Sequence, residues 1–151
     1  MKKVLLATAL MALSTLSFAT EVTKVSFAQV SIEDNTMHLT LPQGKKTIAL
    51  DDSYMFTTIE KTFINTSQDN VLLLVQASSG GNGCPAMYFV VDIHKNGIVK
   101  QSPEFGTCSD IPKISYSNNS IILQMPELNG KKIATFTYTN GVVSKNGKVV
   151  K

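Results

Sequence analysis

Asn70-Val71-Leu72-Leu73-Leu74-Val75-Gln76-Ala77 carries five consecutive aliphatic residues, Val71 to Val75, on both parities. In an extended strand successive side chains point to opposite faces, so an unbroken apolar run describes a strand covered on both sides. A run of this length is too short for a membrane-spanning helix. The stretch therefore predicts a strand at the centre of a layered β structure.

Downstream, Ala86–His94 alternates: Met87, Phe89, Val91 and Ile93 share one face, and Tyr88, Val90, Asp92 and His94 share the other. Asn96-Gly97 ends it. Asparagine and glycine accept the positive φ values of a type I′ turn, so Ile98–Gln101 is expected to return as a hairpin partner. The same grammar recurs at Lys113–Tyr116 and Ser120–Met125 around Asn118-Asn119, and at Lys131–Tyr138 and Val142–Ser144 around Asn140-Gly141. Asn146-Gly147 is placed to seed a last short return.

Upstream, Met37, Leu39 and Leu41 alternate with Thr36, His38 and Thr40, which turns His38 outward, and Lys46–Leu50 follows the Pro42-Gln43-Gly44 turn. Asp51–Glu60 is ambiguous, since Tyr54, Met55, Phe56 and Ile59 fit one helical turn or an irregular strand. The reading is all-β: an antiparallel meander of about ten short strands forming a sandwich or a barrel-like domain. The loose hairpin repetition reflects shared turn chemistry rather than a repeat architecture.

The N-terminus sets the compartment. Lys2 and Lys3 precede an apolar stretch from Val4 to Leu13, and Ser17-Phe18-Ala19 is a small-x-small cleavage pattern before Thr20. Residues 1–19 read as a secretory signal peptide and 20–151 as a single β domain, periplasmic or secreted. No second apolar run follows, so no membrane span is expected after cleavage. The chain has 14 basic and 11 acidic residues; without Lys2 and Lys3 the balance is 12 to 11, nearly neutral. Every basic residue is lysine. Without arginine's planar fork, nucleic-acid binding is disfavoured.

In an oxidising compartment the two cysteines, Cys84 and Cys108, are expected to pair. A ring of about 25 residues closed this way contributes roughly 3 to 4 kcal/mol in the loop-entropy treatment.

No catalytic set emerges. Only His38 and His94 could serve as imidazole bases, and no Gly-x-Ser-x-Gly elbow is present. Two histidines and a paired cysteine do not furnish a zinc site, and Asp51-Asp52 lacks calcium-loop spacing, so neither a metal nor another cofactor is expected. Asp92 and His94 share a strand face and could meet in an exposed hydrogen bond. Gly80-Gly81-Asn82-Gly83 enters a strand rather than a helix, unlike a phosphate-binding loop.

That glycine loop is nonetheless the most unusual stretch. It leads to Cys84, and the partner cysteine lies in Ser102-Pro103-Glu104-Phe105-Gly106-Thr107-Cys108-Ser109-Asp110. A disulfide would clamp the two loops into one rigid surface, with Glu104 as a charge and Phe105 as an aromatic anchor. Asn82, Tyr88, Glu104, Phe105 and Asp110 are the expected binding residues. The runs at 83–88 and 102–110 resemble a pattern in uncharacterised secreted or periplasmic proteins of Gram-negative bacteria. The resemblance adds weight to a paired-cysteine site and implies no activity.

The functional expectation is a non-catalytic binding or inhibitory module with a protein partner in the cell envelope, such as an immunity protein or an inhibitor of an envelope hydrolase. Two alternatives stand beside it: a self-associating structural envelope protein, and a small envelope hydrolase using convergent acids.

Overall fold

The computed structural model describes residues 22–81, 83–128 and 130–150. The signal peptide read at 1–19 lies outside the described residues. Thirteen strands and no helix occur among those described, arranged as three successive antiparallel meanders. The first sheet holds β1 (Val22–Val25), β2 (Ala28–Glu33), β3 (Thr36–Leu41) and β4 (Gly44–Ala49) in chain order. The second holds β5 (Phe56–Asn65), β6 (Asn70–Ser78), β7 (Met87–His94) and β8 (Val99–Gln101), again in chain order. The third holds β9 (Lys113–Ser117), β10 (Ser120–Pro126), β11 (Ile133–Thr139), β12 (Val142–Lys145) and β13 (Lys148–Val149).

The second sheet is the middle layer of an open, sandwich-like stack. Val71, Leu73, Val75 and Ala77 of β6, with Phe89, Val91 and Ile93 of β7, pack against Val30, Met37, Leu39 and Leu41 of the first sheet. The alternate residues Leu72, Leu74, Tyr88 and Val90 pack against Ile121, Leu123, Met125, Phe136 and Tyr138 of the third. Two separate cores thus share one sheet. This is why β6 reads as an unbroken apolar run while β3 and β10 alternate, with His38 and Gln124 exposed.

The turns follow their residues. Asp34-Asn35, Asn118-Asn119, Asn140-Gly141 and Asn146-Gly147 have positive φ at both positions, as type I′ turns require. Asn96-Gly97 departs from that expectation, because only Gly97 is left-handed (φ 88°). There Gly97 N donates to His94 O (2.9 Å) and His94 N to Ile98 O (2.8 Å), which makes a three-residue loop. Lys95 is held outside the pair by donating its N–H to Asp69 O (2.9 Å). The return strand forms nonetheless, as β8.

At Asp51–Glu60 the helical alternative is overturned. Asp51 Oδ1 accepts from Ser53 N (2.8 Å) and Asp51 O from Tyr54 N (3.1 Å), forming a tight turn before β5 begins at Phe56. β5 is irregular, since its register against β6 shifts between Ile59 and Lys61.

Candidate functional site

Cys84 and Cys108 are joined, with Cα atoms 4.4 Å apart. The bond closes an end of the middle sheet that backbone pairing has already brought together. Beyond β8 the chain keeps running beside β7: Ser102 N donates to Val90 O (2.9 Å), and Tyr88 and Phe105 exchange backbone hydrogen bonds of 2.8 Å each. Between the pairs Val91–Gln101 and Tyr88–Phe105 the outer segment carries one extra residue, a bulge in an edge strand. The Ser102 hydroxyl fills the gap, accepting from Val90 N (2.9 Å) and donating to Pro103 O (2.8 Å).

This pairing corrects the expected site. Phe105 is buried, its ring 5.5 Å from that of Phe136, and Tyr88 is buried in the same core with its hydroxyl donating to Ser109 O (3.1 Å). Neither ring is a surface anchor. Pairing opposite Tyr88 turns Phe105 onto Tyr88's face of the sheet, into the core shared with the third layer. Asn82 lies outside the described residues. Glu104 and Asp110, two of the five expected binding residues, are exposed on the stapled segment.

The segment is rigidly seated. Thr107 Oγ1 donates to Pro126 O (2.6 Å), tying it to the third sheet. Gly106 has φ 152°, and a Cβ there would lie 3.2 Å from the Met87 sulfur. Beside the disulfide a hollow of about 400 Å³ is bounded by Met87, Cys108, Leu128 and Lys145, with Lys145 paired to Glu127 at 3.2 Å.

The 51–56 turn belongs to the same end and was missed as part of the site. Met55 N donates to Ser78 O (2.8 Å), and a Cβ on Gly80 would fall on the Met55 sulfur. Asp51 faces Glu104 electrostatically. Partial burial, reinforced by that neighbouring charge, holds the Glu104 carboxyl above its ordinary range. The Asp51 carboxylate is held low by the hydrogen bonds it accepts from Ser53. The signal that could have revealed this turn is the Asp51-Asp52-Ser53 run, whose side chains favour capping their own backbone.

Asp92 and His94 do meet, with 3.3 Å between His94 Nε2 and Asp92 Oδ2, but Asp92 is buried rather than exposed. Its carboxylate also accepts from Asn70 Nδ2 (2.7 Å) and Tyr138 OH (3.3 Å). Burial, then the Asp92 charge, pushes the Tyr138 hydroxyl well above its ordinary range. With donors from three side chains, this carboxylate ties the middle sheet to the third. No group of three or more His, Cys, Asp or Glu side chains suited to a metal occurs among the described residues.

Fold and site together define an all-β, disulfide-stapled domain whose rigid end displays acidic side chains. No family model, curated protein or solved structure matches the chain.

Proposed function

We propose that the mature chain is an exported, non-catalytic binding module that acts on a protein of the cell envelope as an inhibitor or immunity protein. The observation that carries this reading is the stapled segment 102–110. It is held by a disulfide, a bulged strand pairing and the Thr107 bond, and it leaves Glu104 and Asp110 exposed on a preorganised frame. Preorganised loops avoid the ordering cost of association, which is how small modules bind tightly. The disulfide is compatible with a periplasmic or extracellular location. The resemblance of the two cysteine loops to secreted Gram-negative proteins points the same way.

Capture of a partner from periplasmic extract, with the wild type and with Glu104→Ala and Asp110→Ala, tests the reading. Retention of a partner that the substitutions weaken supports it. Equal retention by the variants moves the site elsewhere, and no retained protein removes the function.

Self-association is favoured by one observation. β5 is a ten-residue edge strand of the middle sheet, and long open edges pair readily with other chains. Sedimentation across a concentration series distinguishes the two readings.

A further inference from the structure

A groove of about 580 Å³ runs between the first and middle sheets beside the stapled end, lined by Ile32, Asp34, Met55, Phe56, Thr57 and Thr58. Apolar side chains stand open at its rim: Met55 is 66% and Phe56 61% exposed. Its charge is one-sided. Asp34 lines it, and no lysine does so among the described residues. The acids Glu33, Asp51 and Asp52 stand at the same end, because Leu50 N donates to Asn35 O (2.7 Å) and Asn35 Nδ2 to Tyr54 O (2.7 Å).

The groove also offers backbone. β5 forms one edge of its sheet, so its outer N–H and C=O groups face no strand among the described residues. Four residues, Phe56–Ile59, precede the register shift that interrupts the edge. Thr57 Oγ1 is buried there without a hydrogen-bond partner among the described residues. An extended segment could add beside these four residues, with alternate side chains entering the groove.

We infer that this groove takes an extended segment of a partner protein in which lysine or arginine alternates with apolar residues, added as a short strand beside Phe56–Ile59. Side chains that enter the groove meet Asp34, so charge complementarity selects lysine or arginine there, and the alternate apolar set lies on the other face of the sheet, the face of Phe56. The inference rests on the reading of the chain as a binding module, and it names a surface that adjoins Glu104 through Asp51 but is lined by neither Glu104 nor Asp110.

The test titrates residues 20–151 with an octapeptide of alternating lysine and valine, followed by backbone amide NMR, with the glutamate–valine octapeptide as control. The lysine peptide should saturate, shift the amides of Ile32–Asn35 and Phe56–Ile59, and bind at least about tenfold tighter than the control. Phe56→Ser and Asp34→Asn, both at exposed positions, should each weaken it about fivefold or more. No saturation at millimolar peptide, equal binding of the control, unchanged affinity of the variants, or shifts confined to 102–110 would each overturn the inference. So would dimerisation of the chain alone that Phe56→Ser abolishes, since the groove would then belong to a second copy. Partner capture that depends on Glu104 while the peptide fails removes the groove and leaves the binding-module reading standing.

Discussion

Tyr88 and Phe105 are joined by two reciprocal backbone hydrogen bonds of 2.8 Å, and both rings sit in the core between the middle and third sheets. The loop that displays Glu104 is thus anchored by the residue that follows it. Surface chemistry and core packing alternate along a single stretch of chain.

Phe105→Ala should therefore act on stability. Removing a buried phenyl ring typically costs about 3–5 kcal/mol, and urea unfolding should show a loss in that range. At a pH where Glu104 is protonated, Glu104→Gln should leave the urea midpoint nearly unchanged. Equal and small effects of the two substitutions would mean that Phe105 does not pack as described.

Replacing both cysteines, Cys84→Ser with Cys108→Ser, should remove roughly 3 kcal/mol by the loop-entropy treatment. The sheet pairing of Tyr88 with Phe105 should survive, because its hydrogen bonds do not depend on the sulfurs. Amide exchange at those two residues, measured under conditions where the variant remains folded, checks this. Fast exchange there would show that the staple, rather than the strand, holds the segment.

Asp92→Ala should destabilise by about 2–4 kcal/mol, since it strands the Asn70 amide and the Tyr138 hydroxyl in a buried setting. Tyr138→Phe should cost less, about 1 kcal/mol, because the carboxylate keeps its Asn70 donor. Equal losses in thermal or urea unfolding would contradict this ordering.

Alkaline stability follows from the tyrosines. Burial, then the charges of Glu60 and Asp110, pushes the Tyr88 hydroxyl well above its ordinary range, and Tyr138 is raised as well. The fold therefore holds these protons more tightly than the unfolded chain, so stability is full below the ordinary tyrosine range and falls as pH rises through and beyond it. Tyr138→Phe should flatten that fall. Glu104 has the same sign at acid pH: its stabilising contribution is present when it is protonated and is lost as pH rises through its raised value. Glu104→Gln should remove that slope from pH-dependent urea titrations, while an unchanged slope would place its origin elsewhere.

The strands written in strong alternation or in continuous apolar runs were legible in the sequence, β3, β6, β7 and β10 above all. Turn residues with unambiguous chemistry marked the hairpins of the C-terminal meander, and export chemistry pointed to the pairing of Cys84 with Cys108. β5 was obscured because Tyr54 and Met55 belong to the turn that precedes it, so their apolar side chains add to Phe56 and Ile59 in a helix-like spacing, and the extra residue between Ile59 and Lys61 then reverses the strand's parity midway. β1 and β2 are short and carry the polar residues Thr23, Lys24, Gln29 and Ser31 between few apolar ones, so their period is weak. The division into two cores was implicit in the apolar run at 71–75, but which sheet covered which face depends on tertiary packing. Phe105 was misplaced because a one-residue bulge decides which way a strand residue points, and Ser102-Pro103-Glu104 gives no period from which to read it.

Every strand in the three layers pairs only with strands adjacent to it in the chain. The longest-range pairings between strands close no more than a single hairpin or the cysteine loop, which keeps contact order low for a β protein and lowers the loop-closure barrier to assembly. Each meander can form from a contiguous length of polypeptide as it emerges N-terminus first. The disulfide closes within the territory of the middle layer, so the oxidation step can follow that layer's hairpin without waiting for the residues that build the last sheet.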